Sequence, residues 1–361
     1  MNRKHFISRT ATLAAGFSFL NIHSFGANRN NASSTMAEQD IHFWDLFSNS
    51  YTKNCKAWYH AKNNPVIPAT GNGWKKIWTA NPAYLEHKGQ KFIYYRGHGF
   101  TNDNTKEPHD RIAVATLHSI NKENIQFTDL NNSNFIIDVG EKGSFDDEAA
   151  LDPTVCFFNN QFFLYYSAIG NGPDSIGWAT SSDGIHFTKM GKLMDGRAPS
   201  AIVTDNQLFL LFQKEEKKGE GYVGFYIASS SDGKSFNLIS DKPVFIAGKE
   251  GEWDKQIATG RLFQQGDYTY LLYGGDSDLI DQPGYFGLAR SKDLKQWEKH
   301  PGNPVFGCGA RGEEDGGAMW FPALIESPDA YHLLYEGSRG KYAWDLSSQI
   351  CLSSVAKKKI G

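Results

Sequence analysis

Apolar and polar positions alternate along most of this 361-residue chain in short runs bounded by Gly, Pro, Asn or Asp. A two-residue period of this kind predicts β-strands with one buried face, and no helical period of convincing length intervenes. The alternation also repeats as a larger unit. Five times a small or turn residue, usually followed by Pro, opens an apolar run that passes through a polar turn into an aromatic-rich strand. The openings are Asn81-Pro82, Asp152-Pro153, Ala198-Pro199, Thr259-Gly260 and Phe321-Pro322. They lead to FIYYRGHG, FFLYYSAIG, LFLLFQKE, YTYLLYGG and YHLLYEGS. Each unit reads as about four strands. In the second unit Asp183-Gly184 marks a tight outer hairpin before Phe187, and the same hairpin recurs before Phe236 and Trp297. Four-stranded units repeated radially predict an all-β fold, a five-bladed β-propeller with antiparallel blades.

An early segment has no blade of its own. The stretch AWYHAKNNPVIPATG (57–71) is like QWEKHPGNPVFGCG (296–309), which joins the fourth unit to the fifth. It is expected to supply the outermost strand of the last blade, closing the ring and leaving no open sheet edge. Ahead of it, Arg3 and Lys4 precede an apolar stretch from Thr10 to Leu20, and small residues follow at Ser24, Gly26 and Ala27. Residues 1–27 therefore read as an export signal, similar to a twin-arginine signal whose second Arg has become Lys. The apolar stretch is too short to span a bilayer. Residues 28–40 read as a flexible lead-in and 41–361 as the propeller domain. The expected location is periplasmic or secreted, with no membrane attachment once the signal is removed.

Composition narrows the function classes. A formal net charge of -3, with no basic patch beyond Lys357-Lys358-Lys359, argues against a nucleic-acid surface. An aromatic fraction of 14% suits both a β core and sugar stacking. None of Cys55, Cys156, Cys308 and Cys351 has C-x-x-C spacing, so no zinc site is expected, though export would permit up to two disulfides in three connectivities. The nucleophile elbow, H-E-x-x-H, the phosphate-binding loop and a dinucleotide-binding glycine motif are all missing from the sequence. No cofactor or metal is called for.

Innermost propeller strands surround a channel, and their leading ends converge on its mouth. Of the five opening residues only Asp152 is ionisable, which makes it the candidate proton donor for cleaving a glycosidic bond. Burial and neighbouring acids would raise its pKa. Asp147, Glu148 and Glu313 are candidates for a second carboxylate. Trp78, Asn81, Arg96, His98, Asp110, Arg111, Arg197, Asp254, Arg261 and Trp320 lie in or beside the same loops and strand ends. Acids, cations and Trp on one mouth suit a pocket that hydrogen-bonds hydroxyls and stacks a sugar face. An oligosaccharide or polysaccharide is the expected partner.

These features resemble the five-bladed furanosidase-type propellers of glycoside hydrolase families 32, 43, 68, 117 and 130. The likeness rests on the x-Pro openings, the S-x-D-G-x-x-F/W hairpins and the NPV segments at 64–66 and 303–305. It is nearest to family 130, the mannoside phosphorylases and β-mannosidases, whose first blade similarly begins Asn-Pro and ends Tyr-Arg. The resemblance implies that Asp152 is the proton donor. It departs at Thr154, where family 130 usually has Arg, and at Asn81, where families 43 and 32 place an acid. It therefore supplies no second carboxylate. It implies an inverting, exo-acting glycoside hydrolase, with a glycoside phosphorylase and a non-catalytic sugar-binding propeller as alternatives.

Overall fold

The computed structural model describes residues 42–47, 57–70, 73–101, 107–215, 222, 224–278, 281–340 and 348–357. The export signal, the lead-in, Cys55 and the terminal lysines Lys358 and Lys359 lie outside the described residues.

Apart from short 3-10 turns, the described elements are strands. They form five consecutive groups. The first holds β2 (Trp78–His87), β3 (Gln90–Gly99), β4 (His109–Ile120) and β5 (Ile125–Asp129), after a short β1 (Tyr59–His60). The second holds β6 (Ala149–Phe158), β7 (Gln161–Ile169), β8 (Ser175–Ser181) and β9 (Thr188–Asp195). The third holds β10 (Arg197–Thr204), β11 (Gln207–Gln213), β12 (Gly224–Ser230), β13 (Asn237–Leu238) and β14 (Phe245–Ile246). The fourth holds β15 (Gln256–Gln265), β16 (Tyr268–Asp276), β17 (Tyr285–Ser291), β18 (Glu298–Lys299) and β19 (Phe306–Gly307). The fifth holds β20 (Ala318–Glu326), β21 (Ala330–Ser338) and β22 (Gln349–Ala356). Pairing within each group is antiparallel. A single parallel pair, Asp110 with Ala149, joins the first group to the second.

The first strands of the groups are neighbours in series: β2 with β6, β6 with β10, β10 with β15, β15 with β20, and β20 with β2. The apolar core divides in the same way. One cluster packs Tyr94 and Val114 of the first group on Phe162 and Leu164 of the second. Others join the second to the third, the third to the fourth and the fourth to the fifth. A further cluster packs Ile93 and Ala113 of the first group on Leu334 and Ile350 of the last. Phe43, Leu46 and Phe47 are buried in the cluster between the fourth and fifth groups, so core begins immediately after the lead-in.

The early NPV segment docks as the repeat predicts. Tyr59 and His60 pair antiparallel with Ser354 and Ser353 of β22. Asn64 then imitates a strand: its Nδ2 donates to the Leu352 carbonyl at 3.1 Å and its Oδ1 accepts the Leu352 N–H at 2.7 Å. Asn303 does the same to Leu288, at 3.0 and 2.9 Å. The two segments thus serve the fifth and fourth groups alike.

The x-Pro pairs do not start strands. Each inner strand begins three residues earlier or, in the third group, one residue earlier, and the pair forms a bulge inside it. Asn81, Asp152, Ala198, Thr259 and Phe321 all adopt the left-handed region, with φ between 39° and 55°. That conformation is a true outlier for the β-branched Thr259 and the bulky Phe321. A bulge tolerates Pro, which cannot donate to the ladder, and it re-aims the side chains around it. The same strained conformation recurs at one register position in every group, which makes these positions candidates for function.

Candidate active site

Two sets of positions face the bulges. The first is the left-handed residue itself. The second is the residue that ends the aromatic run of the next strand: Arg96, Ser167, Gln213, Gly274 and Glu336. By register these lie opposite Ala80, Leu151, Arg197, Ala258 and Trp320. The preceding aromatic residues, Tyr95, Tyr166, Phe212, Tyr273 and Tyr335, point to the other face, because side chains alternate along a strand.

Asp152 is buried, with 1% exposure. Ser167 hydrogen-bonds it and in turn accepts the Ala198 N–H at 2.7 Å, so the hydroxyl is oriented from both sides. Asp152 Oδ2 has no hydrogen-bond partner among the described residues. Burial raises its pKa, against the pull of Arg197, Ser167, Arg96 and Arg261. A carboxyl in this state holds a proton beyond the ordinary carboxylate range and keeps one oxygen open to an incoming group.

A second buried carboxyl stands at the same mouth. Glu336 of β21 is 4% exposed, and Asn81 Nδ2 donates to its Oε2 at 2.8 Å. Burial pushes its pKa up to about 7; Arg96 and a hydrogen bond from Ser348 oppose the rise, and Asp152 adds to it. Sequence reasoning passed over Glu336 because it lies near the end of a strand rather than at its opening. The signal was present, since Arg96 occupies the same place in the first repeat.

Cations complete the group, and Arg96 and Arg197 are each paired with a carboxylate. Arg96 Nε donates to Asp110 at 2.7 Å and its Nη1 to Asn81 at 3.1 Å. His98 also contacts Asp110, at 3.0 Å, and stacks on Trp78 with ring centres 4.0 Å apart, while Trp78 Nε1 donates to Asp110 at 3.3 Å. Arg197 pairs with Asp281 at 3.0 Å and lies 4.8 Å from the Tyr222 ring centre; Trp320 Nε1 binds the Asp281 carbonyl. Arg261 is buried beneath them. Its guanidinium donates to the carbonyls of Pro199 at 2.7 Å, Pro153 at 2.8 Å and Pro82 at 3.4 Å. One side chain of the fourth group thereby ties the bulges of the first three. Burial lowers its pKa to about 10 despite Asp152 nearby.

The remaining expected residues are not brought to this group. Arg111 is fully buried on the opposite face of β4, where its Nε meets Asp138 at 2.6 Å. Asp147 accepts the Gly143 N–H at 2.6 Å and shapes its own turn, Glu148 is exposed, and Glu313 accepts the Ala310 N–H at 2.8 Å. Asp254 belongs to a repeated latch. Its Oδ2 accepts from Tyr273 at 2.9 Å and Lys299 at 2.7 Å, fastening the loop before β15 to the second and outer strands. Asp146 binds Tyr166 and Lys189 in the same way, and Asp315 binds Tyr335 and His60. The first group reverses the charges, with Lys75, Tyr95 and Asp129. The acidic clusters read as candidate chemistry are, at these positions, the anchors of the loops.

No known family pattern matches the chain, and no curated protein does. Solved structures do match. A candidate glycoside hydrolase from Parabacteroides distasonis aligns over 86% of this chain and 99% of its own, with TM-score 0.64 and 15% identity. The β-1,2-mannobiose phosphorylase of Listeria innocua, in complex with β-1,2-mannobiose, covers 83% and 96%, with TM-score 0.63 and 14% identity. A structure from family 130, whose mannoside phosphorylases include hydrolases of β-1,2-mannosidic linkages in Candida mannan, covers 82% and 93%, with TM-score 0.61 and 16% identity. The chain thus has the fold of the five-bladed propeller glycoside hydrolases and mannoside phosphorylases.

Proposed function

We propose that this protein is an exported glycoside hydrolase that removes a terminal sugar by an inverting mechanism, with Asp152 as the acid. The observation that carries the reading is Asp152 itself: buried, its pKa raised, and one carboxyl oxygen unpartnered. Such a group is suited to protonate a leaving glycosidic oxygen. Structural neighbours that act on glycosidic linkages support it.

The supporting architecture is a five-bladed propeller closed by its N-terminal strand. The pairing of β1 with β22, the contact of β20 with β2 and the shared core of the last and first groups all favour closure. Arg261 bridges the bulges of three groups, which favours a closed pocket over an open tunnel where they meet. A pocket admits a chain end, hence exo action. A cleft of about 1310 Å³ lies elsewhere, between the second and third groups. It reaches Tyr222, the ring beside Arg197, so it offers room for the rest of the glycan.

Hydrolysis is favoured over phosphorolysis because the mouth arginines are already neutralised, Arg96 by Asp110 and Arg197 by Asp281. Phosphate would have to displace those carboxylates. The test is a screen of aryl glycosides and oligosaccharides with and without phosphate, alongside Asp152→Asn. Turnover independent of phosphate and lost in Asp152→Asn is expected. Phosphate-dependent release of a sugar phosphate would make it a phosphorylase, and sugar binding without turnover would make it a lectin-like propeller. N-terminal sequencing of the periplasmic protein, expected to begin near residue 28, tests export.

A further inference from the structure

Three second-strand ends reach into the following group. Ser167 accepts the Ala198 N–H at 2.7 Å, Gln213 Nε2 donates to the Ile257 carbonyl at 3.3 Å, and Glu336 accepts from Asn81 at 2.8 Å. Neutral side chains make the link twice, so the link alone does not call for a carboxyl. A buried acid there is costly unless its charge has a use. Glu336 and Asp152 sit on groups that are not neighbours, with β2 between them, and Arg96 interacts electrostatically with both. Two buried carboxyls that both act on Arg96, one on each side of the first group, supply the acid and the base that an inverting pair needs.

We infer that Glu336 is the general base of the reaction, the carboxylate that activates the attacking water. The inference rests on the hydrolase reading above. Glu336 takes a proton from water as the water oxygen bonds to the anomeric carbon. The bond from that carbon to the glycosidic oxygen breaks, and the oxygen takes the proton of Asp152. Glu336 ends protonated and Asp152 ionised, and exchange of one proton through solvent restores the starting state. Asn81, standing where families 43 and 32 carry an acid, here orients the carboxylate supplied by the adjoining group.

The groups facing Glu336 define how its pH dependence is read. Arg96 favours its ionised form, Ser348 and Asn81 hydrogen-bond it, and Asp152 opposes a second charge. Cys351, on β22, is a buried thiol opposite Tyr335 on the other face, and Asp110 acts through Arg96. The acid limb of kcat is therefore expected to fall near neutrality.

The experiment compares Glu336→Gln and Asp152→Asn on paired 2,4-dinitrophenyl and methylumbelliferyl glycosides, with and without sodium azide. Loss of a general base costs about 10²–10⁴-fold in rate. Glu336→Gln should lose such a factor on both substrates and lose the acid limb, and azide should restore turnover with formation of an inverted glycosyl azide. Asp152→Asn should be impaired far more on the methylumbelliferyl glycoside, whose leaving group needs the proton. Glu336→Gln within threefold of the unmutated protein, or an acid limb unchanged, or no azide product, overturns the inference while leaving Asp152 in place. No turnover by the unmutated protein on any glycoside overturns the hydrolase reading itself. Should Glu336→Gln fail to fold, Ser348→Ala decides: the acid limb rises if Glu336 is the base and stays put if it is not.

Discussion

Asn81 and Glu336 are 255 residues apart in the chain, yet the Asn81 amide donates to Glu336 Oε2 at 2.8 Å. The bond joins the left-handed bulge of the first group to the second strand of the last. Replacing Asn81 with Asp would set two carboxyls within hydrogen-bond distance, and the pair would share one proton. The expected result is a pH optimum displaced upward, with activity at pH 7 reduced at least tenfold. A pH–rate profile of Asn81→Asp measures it.

Glu336 also makes stability depend on pH. Its folded pKa of about 7 stands above its ordinary 4.5, so its contribution is whole below pH 4.5 and is lost as pH rises through 7. The loss at pH 8 is about 3 kcal/mol. Glu336→Gln should match the unmutated protein at pH 4 and be more stable at pH 8. Urea unfolding at both pH values checks this; equal midpoints at pH 8 would mean the group ionises without penalty.

Asp254 and Asp152 should behave in opposite ways. Asp254 latches a loop through Tyr273 and Lys299, and Lys299 is partly exposed. Asp254→Asn is expected to cost about 1–2 kcal/mol of stability and leave kcat within threefold. Asp152→Asn is expected to abolish turnover on unactivated glycosides without loss of stability. Thermal unfolding and kinetics on the same preparations separate the two.

Arg261 should be irreplaceable by Lys. Its planar fork serves three carbonyls from three groups, and an ammonium cannot reach all of them. Arg261→Met leaves those carbonyls buried and unpaired, a destabilisation of about 3 kcal/mol or more. Arg261→Lys should recover less than half of that, measured by denaturant midpoints.

Much of the architecture is legible from local pattern. The two-residue alternation and the five repeated openings, four of them x-Pro, define the five strand groups, because burying one face of a strand imposes that period wherever the chain goes. The likeness of 57–71 to 296–309 likewise anticipates that Asn64 and Asn303 make the same contacts. Asp152 could be singled out because it is the only ionisable residue at a repeated opening. What stayed hidden was the fate of each charge. Asp152 and Asp254 both precede or sit within an inner-strand start, yet one is buried near Arg96, Arg197 and Arg261 and the other latches a loop. Arg111 and Asp110 are adjacent in sequence and face opposite sides of β4. Sequence alone determined which residues form strands and where the repeats fall, since those follow from local periodicity. The tertiary structure alone decided which carboxyls lose water, which find a cation and which meet across the mouth. Desolvation and pairing depend on neighbours from other groups, as Asn81 and Glu336 do, and no local pattern carries that information.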